Sequence, residues 1–191
     1  LEDNPGTRFL VDEAFIDFAE GRHSLADAGP DNVIVLRSMT KFYALPGLRV
    51  GYAVASNAMA RNIREQVPPW SVNCIAERVA REAVQDRDYA AEARSYARKR
   101  RRELFEELDR VEGLRPYPSE ANFLLVKLNR GDLDAPTLQE RLLQDGIAIR
   151  SCANFSGLNE RYFRVAVRSE TDNARLANAL RYRDLMAEAG I

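Results

Sequence analysis

One lysine, Lys41, stands in Ser38-Met39-Thr40-Lys41-Phe42-Tyr43-Ala44-Leu45-Pro46-Gly47-Leu48-Arg49-Val50-Gly51, among hydroxyls, apolar residues, Pro46 and Gly47. That setting predicts an amine off any solvated helix face. Desolvation lowers an amine's pKa and makes it a better nucleophile, which is what Schiff-base chemistry requires. Ser38 lies three residues before it and Arg49 eight after. A hydroxyl donor and a permanently charged guanidinium fork are both suited to holding a phosphate. The plain alternative is a loop lysine followed by an arginine at a strand end.

Three further residues carry chemistry. Asp12 closes the apolar run Arg8-Phe9-Leu10-Val11 and opens Asp12-Glu13-Ala14-Phe15. A carboxylate at the C-terminal edge of a parallel strand lies where α/β folds bind ligands; its plain alternative is a helix N-cap. Arg150 ends a short strand in Ile149-Arg150-Ser151-Cys152-Ala153-Asn154, and Arg164 is flanked by Phe163 and Val165. Strand alternation puts Arg164, Ala166 and Arg168 on one face, which by itself reads as the solvent face of an edge strand.

The elements that must position these residues read as α/β. Val33-Ile34-Val35-Leu36 is a buried-strand pattern before the lysine, and residues 49–55 are a second strand after it. Gly29-Pro30-Asp31-Asn32 marks a turn. A helix is predicted over 57–67, stopped by Pro68-Pro69. Ser71 caps a further helix over 72–85. Trp70 reads as a packing residue, and 88–111 as a long amphipathic helix. The basic run Arg98-Arg102 inside it, offset by Glu103, Glu106, Glu107 and Asp109, reads as a solvated face. Strands over 122–128, 147–150 and 162–168 alternate with helices over 137–144 and from Ser169 through Leu185. The expected domains are 1–88 and 89–191.

Composition excludes several classes. Hydrophobic residues are 46% of the 191, enough for a core. Lys+Arg 28 against Asp+Glu 29 leaves a net charge of −1, which argues against a nucleic-acid or membrane-surface binder. No apolar run can span a bilayer. Cys74 and Cys152, far apart, read as free thiols of a reducing, cytoplasmic compartment. The single histidine, His23, reads as a loop residue and cannot build a histidine metal site. The chain begins at Leu1 and reaches a central-looking strand within a dozen residues, so a piece of a longer protein is expected.

Ser38-x-Thr40-Lys41 with Arg49-x-Gly51, and Asp12-Glu13-Ala14-Phe15 some thirty residues upstream, resemble the two signatures of the class I/II pyridoxal-phosphate-dependent aminotransferases of fold type I. The resemblance implies that Lys41 forms the Schiff base with pyridoxal 5'-phosphate. It implies that Ser38 and Arg49 bind the cofactor phosphate, and that a buried Asp12 pairs with the pyridine nitrogen. It also implies Arg164 on the substrate α-carboxylate, Arg150 as a second substrate-binding arginine, and a homodimer. Many relatives carry tyrosine where this chain has Phe15, which cannot hydrogen-bond the cofactor's ring oxygen. In close relatives the loop holding Trp70 and Asn73 lines the site.

Val11-Asp12-Glu13-Ala14-Phe15, Pro69-Trp70-Ser71-Val72-Asn73 and the Arg150 and Arg164 stretches narrow the resemblance to the threonine-phosphate decarboxylases of cobalamin biosynthesis. Histidinol-phosphate aminotransferases come next. The implied substrate is a small phosphorylated amino acid, and the orientation of its carboxylate selects decarboxylation or transamination. The implied coverage is the C-terminal part of such an enzyme. An inactive remnant or interaction module is the reading from another class.

Overall fold

A computed structural model describes residues 3–4, 6–21, 24–27 and 31–188, the side chains of 183–188 excepted. The loop reading at His23 and the turn at Gly29-Pro30 lie outside the described residues. The chain divides into two units, Leu1–Arg94 and Ser95–Ile191.

In the first unit β1 (Phe9–Asp12) runs parallel to β2 (Val33–Ser38), which pairs antiparallel with β3 (Gly51–Val54). The register sets Asp12 opposite Leu36 and Ser38 opposite Gly51. The β-branched run Val33-Ile34-Val35 is the sheet's centre, with Val33 and Val35 buried. β3 begins at Gly51 rather than Arg49 for two reasons. Residues Pro46–Leu48 form a 3-10 turn that ends with Arg49 in the left-handed region, at φ 51°. At Gly51 a Cβ would lie 2.6 Å from the Arg37 carbonyl oxygen, so only glycine lets β3 approach β2 there.

The lysine stretch folds as a single helical turn, α1 (Met39–Phe42). Its buried residues are Met39 and Phe42, three apart and therefore on one side. Met39 joins Val50 and Ala76 in a small core. Phe42 is fixed edge-on by Phe18, Tyr43 and Tyr89, with ring centroids 5.0, 5.2 and 6.3 Å away. The Tyr89 hydroxyl donates to the Phe42 carbonyl at 2.9 Å. Burial of both phenols pushes the Tyr43 and Tyr89 hydroxyls above their ordinary range.

Helix α2 covers Asn57–Gln66 and α3 Cys74–Gln85. The cap of α3 is Asn73, whose Oδ1 accepts from the Ala76 N–H at 2.8 Å, so Ser71 does not cap it. Trp70 sits in a turn at φ 58° and is 96% exposed, so it packs against no core. The long helix α4 (Arg87–Asp109) carries the division between the units.

The second unit is an antiparallel sheet in the order β4-β5-β7-β6, from β4 (Leu114–Pro116), β5 (Phe123–Leu128), β6 (Arg150–Ser151) and β7 (Tyr162–Ala166). One face alternates Leu124, Val126 and Leu128 with Phe163 and Val165 into a core. That core also takes Leu104 and Leu108 of α4, Leu138 and Leu142 of α5 (Ala135–Gln144), and Leu176 and Leu180 of α6 (Glu170–Glu188). The basic run of α4 is not uniformly solvated. Arg100 is buried over the Tyr96 ring and pairs with Glu103 at 2.9 Å and Glu170 at 2.6 Å, because the helix turns that position toward α6.

Asp134 caps α5, accepting from the Thr137 N–H at 2.8 Å, a bond that holds its carboxyl below the usual range. Asp134→Ala is expected to cost about 1 kcal/mol in a urea titration. A lowered folded value means this contribution is complete above the unfolded carboxyl's pKa of about 4 and fades as pH falls through the folded value. Asp134→Asn should keep the cap and lose that pH dependence.

Cys74 and Cys152 are both free, the first exposed and the second buried. Burial pushes the Cys152 thiol up, against the pull of Arg164 and Arg150. Alkylation at neutral pH followed by peptide mass spectrometry is expected to label Cys74 at least about tenfold faster, since the thiolate is the reactive form. Equal rates would contradict the burial of Cys152. Among the described residues no helix is long and apolar enough to cross a membrane, and no cluster suits a metal ion.

Candidate active site

β1 and β2 end side by side, as parallel strands should where an α/β fold presents a site. Neighbouring residues of a strand point to opposite faces. Asp12, Leu36 and Ser38 therefore share one face of the sheet, and Leu10, 67% exposed, continues it. Asp12 is exposed on that face, and its Oδ1 accepts from the Ala14 N–H at 2.9 Å. The carboxylate thus turns the chain into the 3-10 turn Ile16–Phe18. The expectation of a buried Asp12 is not met; the buried carboxylate is its neighbour Glu13.

Ser38 closes β2 and opens α1. Its Oγ lies 2.8 Å from Thr40 Oγ1 and accepts from the Thr40 N–H at 3.4 Å. The Lys41 amine donates to the same oxygen at 3.0 Å. The Lys41 Nζ also stands 5.5 Å from the centre of the Phe15 ring. The turn after β1 and the helix after β2 therefore meet at the lysine. Phe15, which has no hydroxyl to offer, gives the ammonium an aromatic face.

The expectation of a desolvated lysine off any helix face is also corrected. Lys41 is on α1 and exposed, because Met39 and Phe42 use the buried side of a helix only one turn long. Arg49 does not join Ser38 and Lys41. Its Nη1 donates to the Pro46 carbonyl at 3.1 Å from the left-handed end of the 3-10 turn. Asn73 is committed to capping α3 and Trp70 to solvent.

In the second unit β6 and β7 place Arg150 directly opposite Arg164. The Arg164 guanidinium stands 4.8 Å from the Phe123 ring centre, and Arg150 stands 5.7 Å from that of Phe155. Arg150 Nη2 also donates to Asn154 Oδ1 at 2.9 Å. Among the described residues neither arginine has a carboxylate partner. Like charges directly opposite in a sheet repel, and a bound anion relieves that repulsion. Arg168 is set apart beyond the end of β7, bonded to Asp172 at 3.0 Å.

Two residues escaped the sequence reading although each adjoins one that it singled out. Glu13 follows Asp12 and Arg37 precedes Ser38, and they pair at 3.4 Å on the opposite side of the sheet. Strand alternation applied to both motifs together would have found them.

The Aminotransferase class I and II family profile matches residues 2–182. The threonine-phosphate decarboxylase of Salmonella typhimurium is 46% identical over 176 residues, 90% of this chain and 47% of that protein. The crystal structure of the histidinol-phosphate aminotransferase from Clostridium acetobutylicum superposes with a TM-score of 0.84 at 32% identity, covering 91% of this chain and 53% of that one. That of Sinorhizobium meliloti, solved in complex with pyridoxal-5'-phosphate, superposes at 0.82 with 26% identity, covering 94% and 50%. The chain spans about half the length of the curated relatives it matches. With the family profile matched over residues 2–182 and a solved fold superposing over 91% of its length, the chain belongs to the class I and II aminotransferase family, with the α/β fold of the fold type I transferases.

Proposed function

We propose that this chain carries cofactor-binding and substrate-binding residues of a pyridoxal-phosphate-dependent enzyme that decarboxylates L-threonine O-3-phosphate to a phosphorylated aminopropanol in cobalamin biosynthesis. The observation that carries the reading is the Lys41 amine 3.0 Å from Ser38 Oγ, at the end of the strand paired with the one bearing Asp12. An amine, a hydroxyl and a carboxylate at adjoining strand ends suit an aldehyde-bearing pyridine phosphate. That cofactor supplies an aldehyde for condensation with amines and a ring that withdraws electrons from the substrate's Cα.

The residues take the following roles. Asp12 holds the ring nitrogen in its protonated form. Ser38 donates to the phosphate, with Arg49 as its cationic partner once the side chain leaves the Pro46 carbonyl. Lys41 would bond the cofactor's aldehyde and would stand where an amine can carry a proton to or from the substrate's Cα. Arg164 binds the substrate carboxylate and Arg150 a second anionic group. Residues 1–88 correspond in this reading to part of the cofactor-binding domain and 89–191 to the small C-terminal domain. A cytoplasmic homodimer belongs to the same reading, supported by the family and by free thiols at both cysteines.

Decarboxylation is preferred to transamination on the 46% identity to the Salmonella typhimurium decarboxylase. The second reading is a histidinol-phosphate or related aminotransferase; such an enzyme superposes at a TM-score of 0.84, against 0.83 for an L-threonine-O-3-phosphate decarboxylase, so the fold supports both readings. Incubation with O-phosphothreonine and pyridoxal phosphate separates the two. Carbon dioxide and an amine support the first, whereas a 2-oxo acid without carbon dioxide supports the second. Failure to bind the cofactor at all would leave the remnant or interaction module.

A further inference from the structure

Glu13 is 8% exposed and fully engaged. The Ser24 hydroxyl donates to its Oε2 at 2.6 Å, the Leu25 N–H to its Oε1 at 2.9 Å, and Arg37 Nη1 to Oε2 at 3.4 Å. Arg37 extends its other nitrogen to Asp17 Oδ1 at 3.5 Å, and Tyr52 of β3 stands opposite it in the ladder. Its Nε is buried without a partner. Burying a charge pair costs free energy that its own attraction barely repays, and an apolar pair of similar volume would serve stability as well or better. This pair therefore needs an explanation other than stability.

Its position offers one. The backbone ladder between β1 and β2 ends where the Glu13 N–H meets the Leu36 carbonyl at 2.9 Å. Beyond that bond nothing in the ladder fixes the two strand ends against each other. Glu13 and Arg37 tie them there, on the face opposite to Asp12 and Ser38. Each tied residue is the chain neighbour of a candidate site residue, Glu13 of Asp12 and Arg37 of Ser38.

We infer that the Glu13–Arg37 ion pair is a positioning clamp that sets the span between the Asp12 carboxylate and the Ser38 hydroxyl. The inference rests on the cofactor reading above, in which one rigid ligand touches both ends of that span. A ligand held at both ends senses the span, and a ligand held at one end does not.

The test uses Glu13→Gln, which keeps the side chain's shape and removes its charge, and Arg37→Lys, which keeps the charge and loses the two-pronged reach. Equilibrium dialysis measures the affinity of each protein for pyridoxal phosphate and, separately, for inorganic phosphate; urea midpoints report folding. Both variants are expected to bind pyridoxal phosphate about tenfold to a hundredfold more weakly, as when groups that orient ligand-holding residues are removed. Their phosphate affinity is expected to stay within about twofold. Should one variant fail to fold, the other carries the comparison. Unchanged cofactor affinity, or equal losses for both ligands, would overturn the clamp. A parent protein that binds no pyridoxal phosphate would instead overturn the cofactor reading, and the clamp with it.

Discussion

Lys41→Ala is expected to abolish the visible absorbance that bound pyridoxal phosphate gives to the unmodified protein, and to lower turnover by at least about 10⁴-fold. The size of the loss follows from two roles in one group. A positioned acid or base is worth about 10²–10⁴ on its own, and the covalent bond to the cofactor is lost as well. Lys41→Arg should fare no better, since a guanidinium keeps the charge but does not condense with an aldehyde. The fold should be indifferent. Lys41 is exposed, and the anchors of α1 are Met39 and Phe42, so the urea midpoint should move by no more than about 0.5 kcal/mol of stability. A variant that keeps the absorbance band would remove Lys41 from its role.

Arg164→Ala is expected to weaken substrate binding by roughly 2–5 kcal/mol, the cost of leaving a desolvated carboxylate without its charged partner. In affinity that is about 30-fold to several thousandfold. Stability should hardly change, because two small terms oppose each other. The substitution removes the stacking of Arg164 on Phe123, worth about 0.5–1 kcal/mol. It also ends the repulsion with Arg150 directly opposite, of about 0.2–1 kcal/mol. Arg164→Lys should restore little affinity, since a point charge does not reproduce a two-pronged grip. Substrate titration of the three proteins gives the result. An unchanged affinity would return Arg164 to the role of a solvent-face residue.

The elements that sequence located well are those specified by a local pattern. Val33-Ile34-Val35 reads as a strand because β-branched residues favour it. The long helix appears at Arg87–Asp109 because its apolar residues recur at spacings of three and four. What escaped is set by neighbours distant in the chain. β6 is only Arg150–Ser151, a strand by virtue of β7 beside it. Arg100 reads as solvated until Glu170 reaches it.

The site divides in the same way. The candidate residues stand in motifs that the sequence displays, but their environments are not encoded there. The family resemblance implies a buried Asp12, but the register places it on an open face beside Leu36, and Glu13 takes the buried position instead. Lys41 reads as dry because its neighbours in the chain are apolar. Those neighbours, Met39 and Phe42, are what turn it outward. The contact of Lys41 with Phe15 joins two motifs separated by more than twenty residues, which no local pattern encodes.

The most direct measurement is borohydride reduction of the protein after incubation with pyridoxal phosphate, followed by peptide mass spectrometry. The chain has three lysines, Lys41, Lys99 and Lys127, so the position of the phosphopyridoxyl group is unambiguous among them. One equivalent on Lys41, absent from Lys41→Ala, is the expected result. Label confined to Lys99 or Lys127, or no label on any lysine, would contradict the assignment of Lys41, Ser38 and Asp12 to a cofactor site.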